Sequence, residues 1–551
     1  MRARPALVVF ALSLTLYLAI GFVLALHYNF LMGDALSRVQ SAQGVLFSRN
    51  PHLAEIGFIF TPLTALVEIP LVALSPWIPE LTRYGLAGVI MSALFMAAAA
   101  AQIWGIGADR GTPHWQRVAV TAVFVVNPMI VFYGATGMSE APFVFLMCWA
   151  TRRLIRWTST DDVHDLIGAG VALGLAYLTR YDAVVPIAAA AVFVAVRTCR
   201  RSGAARRDRL REGFLDAVIL VAPGALAVFV WAYSSWLLTG HVLAQISSSY
   251  GNTQILAQSG GPIDSGWSTL GFSTAETLLL APALPLVVPA VVALAVRRRD
   301  LEVLVPTLLF GSVLAFQSFS YARGITFPFL RFYIIVIPLI CVYALQLSPA
   351  RGVLPSRRPG RYASVRNISE PDVRWAAVAG TALLVFGLPI TLVGMADPQL
   401  SAQQYALRSI VAGPNDNAEQ DTRERRILAT FSTERAIADH LDAMDLPEGS
   451  VLMDTVSGFA IVAASDNPRQ FVVPSDDDFV SVLGEPAEHG VQYILAVPGA
   501  GRGASDAVNR RYPTLFDTGG EVATLDLEIP NDGADQPDWR LYRALTDTPQ
   551  P

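Results

Sequence analysis

The chain has no lysine: all 40 of its basic residues are arginine. That uniformity suits a GC-rich coding sequence better than any one mechanism. Cysteine is scarce, with only Cys148, Cys199 and Cys341, each in or beside an apolar run. None lies in the C-terminal part, so no disulfide framework supports that part. Charged residues make up 15% of the chain, against about a quarter in soluble domains. What fills the space is hydrophobic: 53% of 551 residues, enough for a large membrane domain and one soluble domain.

The net charge of −5 conceals an asymmetry. Residues 1–395 carry 29 Arg and 19 acids, a net +10, whereas residues 396–551 carry 11 Arg and 26 acids, a net −15. By the rule that about 20 apolar residues cross a bilayer, eleven spans are expected. They fall near 6–26, 84–107, 118–134, 138–156, 164–180, 183–198, 214–237, 275–296, 302–318, 330–347 and 375–395. The basic connections "RLIRW", "RTCRRSGAARRDRLR", "RRRD" and "RGVLPSRRPGRYASVRNISEPDVR" all fall on one side, and the loop Thr239–Ser273 has no Arg. The positive-inside rule then puts the N-terminus in the cytoplasm, residues 27–83 outside and, with an odd span count, residues 396–551 outside too. No small-residue cleavage site follows the first span, which therefore reads as an uncleaved anchor. The expected fold class is a polytopic α-helical membrane protein of the plasma membrane with a C-terminal extracytoplasmic α/β domain.

Within 27–83, the segment Ile56–Leu74 is apolar enough to span, but Pro62, Glu68 and Pro70 interrupt it. Counting it as a span would invert every later loop. It reads instead as one or two juxtamembrane helices along the interface. In the tail, "STERAIADHLDAM" has helical period, with Ser432 or Thr433 as candidate cap. "DNAEQDTRERR" reads as helix or connector and "DDDFVSVLGEPAEHG" as helix then turn. "LPEGSVLMDT", "VQYILAV", "EVATLDLEI" and "WRLYRAL" read as strands. The tail has no Gly-rich phosphate fingerprint and no Cys/His metal spacing.

The candidate chemical groups sit at span ends. Asp34 follows the first span, just where "GDALSRVQSAQGVLF" starts as an interfacial helix. It reads as a helix cap, and capping does not exclude chemistry, because a carboxylate has further acceptor sites. Arg38, Arg49, His52 and Glu55 share its loop, where lipid headgroup contact is the plain alternative. Arg180 and Asp182 lie between two spans. Ionisable groups at that depth are costly and often functional, yet a snorkelling Arg with a partner Asp explains them as well. Glu140 opens the fourth span, where a helix dipole favours an acid. Arg323 and Arg331 flank the start of the tenth span on the outer side, against the charge trend, and a phosphate is a natural partner for arginine. Asp34, Glu140, Arg180, Asp182 and Arg331 share one level, a plausible site for a sugar and a phosphate.

Five motifs in order carry a resemblance over residues 1–395. They are Gly33-Asp34, "PHLAEIGFIFTPLTALVEIPL", "GMSEAPFVFL", "GLAYLTRYDAVVP" and "LRFYIIVIPL". In these the chain resembles the GT-C superfamily of integral-membrane glycosyltransferases, especially bacterial relatives of family 39 and the aminoarabinose transferase type. It differs in having Asp34 alone where many members carry two adjacent acids in the first loop, and Tyr181 where a Gly follows the basic residue. The resemblance implies an inverting hexosyl or pentosyl transferase that uses a polyprenyl-phosphate sugar. Asp34 would be the general base, and Arg180 and Arg331 would bind phosphate. Arg323, Glu140, Asp182, His52 and Glu55 would line the substrate site. Members differ in metal need, so no metal is assigned. The acceptor would be a glycan, a lipid or a protein. Two other readings stand beside it. A transporter or flippase for lipid-linked glycans needs polar groups through the midplane, whereas the expected spans carry charge at their ends. A non-catalytic surface receptor would need no cavity joining the first loop to Arg331. The acidic tail disfavours nucleic acid as a partner.

Overall fold

The computed structural model describes residues 3–201, 205–243, 267–351, 374–401 and 404–545. Residues 202–204 and 352–373 of the Arg-rich connections, and 244–266 of the Arg-free loop, lie outside the described residues. The protein is a multi-pass helical membrane protein followed by a small sheet domain. Among the described residues, seven helices are long and apolar enough to cross a membrane, or nine with each bent pair as one span. The seven are Arg4–His27, Leu86–Asp109, Tyr181–Arg201, Arg206–Thr239, Leu301–Ala322, Leu330–Leu347 and Arg374–Met395.

The two bent pairs explain part of the difference from eleven. His114–Val126 and Pro128–Ala135 meet at 57°. Pro128 lacks an N–H and opens the second helix, which the Asn127 side chain caps by accepting from the Met129 N–H at 3.0 Å. Ser268–Leu280 and Leu284–Arg298 meet at 79°, so the span expected at 275–296 is broken at Ala281–Ala283, beside Pro282 and Pro285. Two further helices coincide with expected spans but fall outside the count. Glu140–Thr160 carries Arg152, Arg153 and Arg156 in its second half. Val163–Tyr177 has only 15 residues. The short helix is held by close packing: a Cβ on Gly170 would stand 2.4 Å from the Leu220 carbonyl oxygen, and one on Gly174 2.9 Å from that of Pro223. Small residues four apart let helix backbones approach in this way.

Charge is sorted to the two ends of these helices. At one end Arg152 pairs with Asp109 (2.7 Å), Arg153 with Asp165 (2.8 Å), and buried Arg110 with Asp300 (3.1 Å) and Glu302. At the other end lie Glu140, Arg180 and the loop that follows the first span. That loop holds the helix Gly33–Phe47, a 3₁₀ turn Leu53–Ile56 and the helix Leu63–Val72. The last has 10 residues, about 15 Å of rise against a hydrocarbon core of about 30 Å, so it does not cross.

The C-terminal domain is built on a five-stranded sheet: β1 (Val451–Leu452), β2 (Phe471–Val472), β3 (Tyr493–Ala496), β4 (Ala523–Ile529) and β5 (Trp539–Ala544). The spatial order is β2-β1-β3-β5-β4. The first three are parallel, and β5 runs antiparallel to both β3 and β4. Side chains alternate between two cores, with Val451, Tyr493, Leu495 and Leu541 on one face and Leu452, Ile494, Ala496 and Tyr542 on the other. The helix Ser432–Asp442 forms where the sequence has helical period, Phe479–Gly484 where helix then turn is expected, and Ala418–Leu428 in the segment expected as helix or connector. Neither Ser432 nor Thr433 is the cap: Phe431 occupies that position at φ 66°, and the Thr433 hydroxyl accepts from the Asp532 N–H instead. The helix Thr455–Ala464, capped by Asp454, was not foreseen. It docks the domain on the first loop, where Phe431, Phe459, Ala460 and Ala463 enclose Leu36. Polar contacts rim this contact: Arg83–Asp439 at 2.7 Å, Arg435–Asn29 at 3.3 Å and Arg49–Asp478 at 3.0 Å.

Candidate active site

Asp34 is the second residue of Gly33–Phe47, not its cap; Met32 holds that position and no side chain caps the helix. The Asp34 carboxylate is therefore available for a distant partner. Arg331, in the 3₁₀ turn Leu330–Tyr333 ahead of Val336–Leu347, places Nη2 at 2.9 Å from Asp34 Oδ2. Arg331 Nε lies 3.8 Å from Oε1 of Glu140, the first residue of Glu140–Thr160. Arg180 Nη1 donates to the same Oε1 at 2.8 Å. Nε and Nη2 of Arg180 both reach Asp182 Oδ2, at 3.0 and 2.9 Å, and Gln317 Nε2 donates to that oxygen at 2.7 Å. The turn Tyr181–Ala183, with Arg180 extended just before it, sets this geometry. Five residues expected at one level thus form one chain of contacts: Asp34–Arg331–Glu140–Arg180–Asp182.

Aromatic faces enclose the guanidiniums. Phe143 and Phe332 lie under Arg180, at 5.8 and 5.2 Å, and Phe329 and Phe332 under Arg331, at 5.0 and 5.4 Å. Arg38 donates to the Asp34 backbone oxygen at 2.9 Å and lies over Phe60. Burial alone would raise the Asp34 carboxyl, but the Arg331 and Arg38 charges outweigh it and hold it below the ordinary aspartate value. Arg331 is 8% exposed and Asp34 37%, so solvent reaches the pair from the Asp34 side. Glu140 Oε2 is buried and has no hydrogen-bond partner among the described residues. Such an acceptor in a charged cluster is suited to a donor group on a substrate.

Three expected site residues lie elsewhere. Arg323 is exposed at the C-terminal end of Leu304–Ala322 and joins none of these contacts. His52 and Glu55 sit beyond the far end of Gly33–Phe47, with His52 Nδ1 3.9 Å from Glu55 Oε1. Glu55 is buried there, lining a cleft with Gly44, Ser48, Phe471 and Val473 at the contact with the C-terminal domain. Burial raises its carboxyl. Ten residues of helix, about 15 Å, separate Gly44 from Asp34. The reason is the docked domain, which covers this part of the loop. Sequence reasoning had no signal for Gln317, or for Tyr133, whose buried phenol accepts from Gln404. Among the described residues, no group of three or more His, Cys, Asp or Glu is arranged to hold a metal ion.

The family model of dolichyl-phosphate-mannose-protein mannosyltransferases matches residues 81–231. The fold is similar to that of ArnT from Cupriavidus metallidurans, solved bound to undecaprenyl phosphate, with a TM-score of 0.56 at 13% identity over 99% of both chains. The fold is therefore of the GT-C kind. The oligosaccharyltransferase from Archaeoglobus fulgidus overlaps less, with a TM-score of 0.39 at 12% identity over 90% of this chain and 70% of that one. Among curated proteins nothing matches. The GT-C likeness read from five motifs is thus borne out over the membrane part, and ArnT extends it across the C-terminal domain.

Proposed function

We propose that this GT-C protein transfers a hexosyl or pentosyl group from a polyprenyl-phosphate donor to a glycan, lipid or protein acceptor, with inversion, at the extracytoplasmic face of the plasma membrane. The N-terminus is then cytoplasmic and the C-terminal domain extracytoplasmic, as the Arg-rich connections favour. The observation that carries the reading is the Asp34–Arg331 contact at 2.9 Å, continued through Glu140 to Arg180. Acids and guanidiniums alternate there at the end of a helix bundle, where a lipid-borne phosphate arrives.

In the resting site Arg331 makes Asp34 a weak base. A donor phosphate entering beside Arg331 competes for its guanidinium, because arginine binds phosphate as it binds carboxylate. Freed from the contact, the Asp34 carboxylate gains basicity. It takes the proton of the acceptor hydroxyl as that oxygen attacks the anomeric carbon. The bond from that carbon to the phosphate oxygen breaks, and polyprenyl phosphate leaves. Arg331 and Arg180 stabilise the charge growing on the leaving oxygen, the electrostatic role that usually dominates such sites. Glu140 and Asp182 hold the two arginines.

The test is sugar transfer from a lipid-linked donor by Asp34→Asn and Asp34→Ala. Loss of a general base costs about 10²–10⁴-fold. Both variants should fold and bind donor yet lose activity to that extent. An active Asp34→Asn enzyme would overturn the assignment.

A further inference from the structure

Among the described residues, each guanidinium in the membrane part of the site already faces an acid or a carbonyl, and only Arg331 Nε is buried without a hydrogen-bond partner. Arg180 faces Glu140 and Asp182, Arg331 faces Asp34 and Glu140, and Arg38 is held on the Asp34 carbonyl and Phe60. A substrate phosphate adds negative charge to a cluster that is already matched. The C-terminal domain carries a cation outside these contacts, on a turn that packs against the helix docked on the first loop. Arg502 lies in the 3₁₀ turn Gly501–Ser505, between β3 and the helix Ala507–Arg511. It is exposed and makes no hydrogen bond or ion pair among the described residues.

The turn beneath Arg502 is firmly built. Asn509 Nδ2 donates to the carbonyl oxygens of Val497 and Gly503, both at 3.0 Å. Asp506 Oδ1 accepts from the N–H groups of Val508 (2.8 Å) and Asn509 (3.1 Å). A Cβ on Gly503 would stand 1.9 Å from the Pro498 oxygen, so the turn closes this tightly only with glycine there. The turn packs on the helix Thr455–Ala464. That helix brings Phe459 to within 3.9 Å of where a Cβ on Gly33 would stand, next to Asp34. One helix therefore connects the Arg502 turn to the start of the Asp34 helix. The Arg502 charge also helps to hold the Asp34 carboxyl down, behind the larger contributions of Arg331 and Arg38.

We propose that Arg502 binds the phosphate of a substrate in the Asp34 site, so that the C-terminal domain supplies a fourth guanidinium across the domain junction. The proposal rests on the transferase reading above. The phosphate is that of the donor lipid or of a phosphorylated acceptor.

The experiment uses the full chain in detergent and compares wild type, Arg502→Ala, Arg502→Lys, Arg502→Glu and Arg511→Ala, a control on the same domain. Binding of undecaprenyl phosphate is measured first, at two salt concentrations. Binding of glucose 6-phosphate is measured next, with the lipid phosphate already saturating. If the phosphate is the donor's, Arg502→Ala weakens the lipid phosphate by roughly 10- to 100-fold, the usual range for a charge-assisted contact. Arg502→Glu weakens it further, Arg502→Lys restores part of it, and added salt narrows the gap. If the phosphate is the acceptor's, the lipid phosphate binds normally and only glucose 6-phosphate is lost. Unchanged melting temperatures separate these losses from misfolding, as expected for an exposed side chain. Equal binding of both probes by wild type, Arg502→Ala and Arg511→Ala overturns the proposal. A wild type that binds lipid phosphate and transfers sugar, beside an unaffected Arg502→Ala, sinks this inference alone. A wild type that does neither sinks the transferase reading and this inference with it.

Discussion

Arg331 Nη2 lies 2.9 Å from Asp34 Oδ2, which ties the helix after the first span to the turn before a span near the end of the membrane part. The contact is an ion pair with solvent on one side only. It fixes the ionisation of Asp34 and, through Glu140, the position of Arg180.

Replacing Arg331 by Gln should act on both. Loss of one preorganised donor costs about 10²–10³-fold in rate. The Asp34 carboxyl, relieved of its strongest opposing charge, should rise, so the acid limb of the pH–rate profile moves to higher pH. The stability sign follows from the same shift. A depressed aspartate contributes stability above its unfolded pKa of about 3.9 and loses it as pH falls through the folded value. Acid unfolding of Arg331→Gln should therefore be less steep below about pH 4 than that of wild type. A pH–rate profile that stays in place would show that Asp34 is not the titrating base.

Glu68 predicts the opposite dependence. It is fully buried in Leu63–Val72, and neither carboxyl oxygen has a hydrogen-bond partner among the described residues. Burial raises its pKa to about 8 against a smaller opposing effect of Arg38. The unfolded chain ionises this group near pH 4.3, so wild type loses stability as pH rises from about 4.3 to 8, by up to about 1.4 kcal/mol per pH unit. Glu68→Gln removes that loss. Melting curves of the two proteins should coincide near pH 4 and diverge by pH 8, with the variant more stable. Parallel curves would refute the buried neutral acid.

Gly137 sets the approach to Glu140. Its φ is 75°, its N–H bonds to Ser92 Oγ at 3.0 Å, and an added Cβ would stand 3.0 Å from the Gly88 carbonyl carbon. Gly137→Ala meets both a left-handed backbone penalty of about 1–2 kcal/mol and a backbone clash. A lower melting temperature and weaker lipid phosphate binding are expected, the latter because Glu140 shifts relative to Arg180 and Arg331. Wild-type values for both would count against this geometry.

Phe459 tests the docking of the C-terminal domain. It is 8% exposed and meets Phe431 edge-on, with ring centroids 5.4 Å apart. Truncating a buried Phe to Ala typically costs about 3–5 kcal/mol. Much of that cost should fall on the contact with Gly33–Phe47. Phe459→Ala should make the chain near residues 396–417 more sensitive to limited proteolysis while the membrane part stays folded. Equal cleavage rates would mean that the domain is held by other contacts, such as Arg83–Asp439.

Much of the architecture could be read from local pattern. Apolar runs placed a helix, or a bent pair, at every expected span, and the prolines at Pro128 and Pro282 lie where the bends fall. Four of five strands sit in segments whose β character is visible in a few residues. The two-residue β2 was missed because Phe471–Val472 is too short to show a period. The helix Thr455–Ala464 was missed because ten mostly apolar residues have no amphipathic stripe, although Asp454 before them is a usable cap signal.

The sequence by itself determined which residues carry charge, and hydropathy alone put Asp34, Glu140, Arg180, Asp182 and Arg331 near span ends, because the cost of burying charge in lipid is a local property of each segment. Tertiary packing alone decided the partners. Asp34 meets Arg331 rather than its own helix end, and Arg180 is shared between Glu140 and Asp182. Arg323 joins neither, while His52 and Glu55 turn to the docked domain. An ion pair depends on which helices lie side by side, and the close contacts at Gly137, Gly170 and Gly174 that set those neighbours have no trace in charge or spacing along the chain.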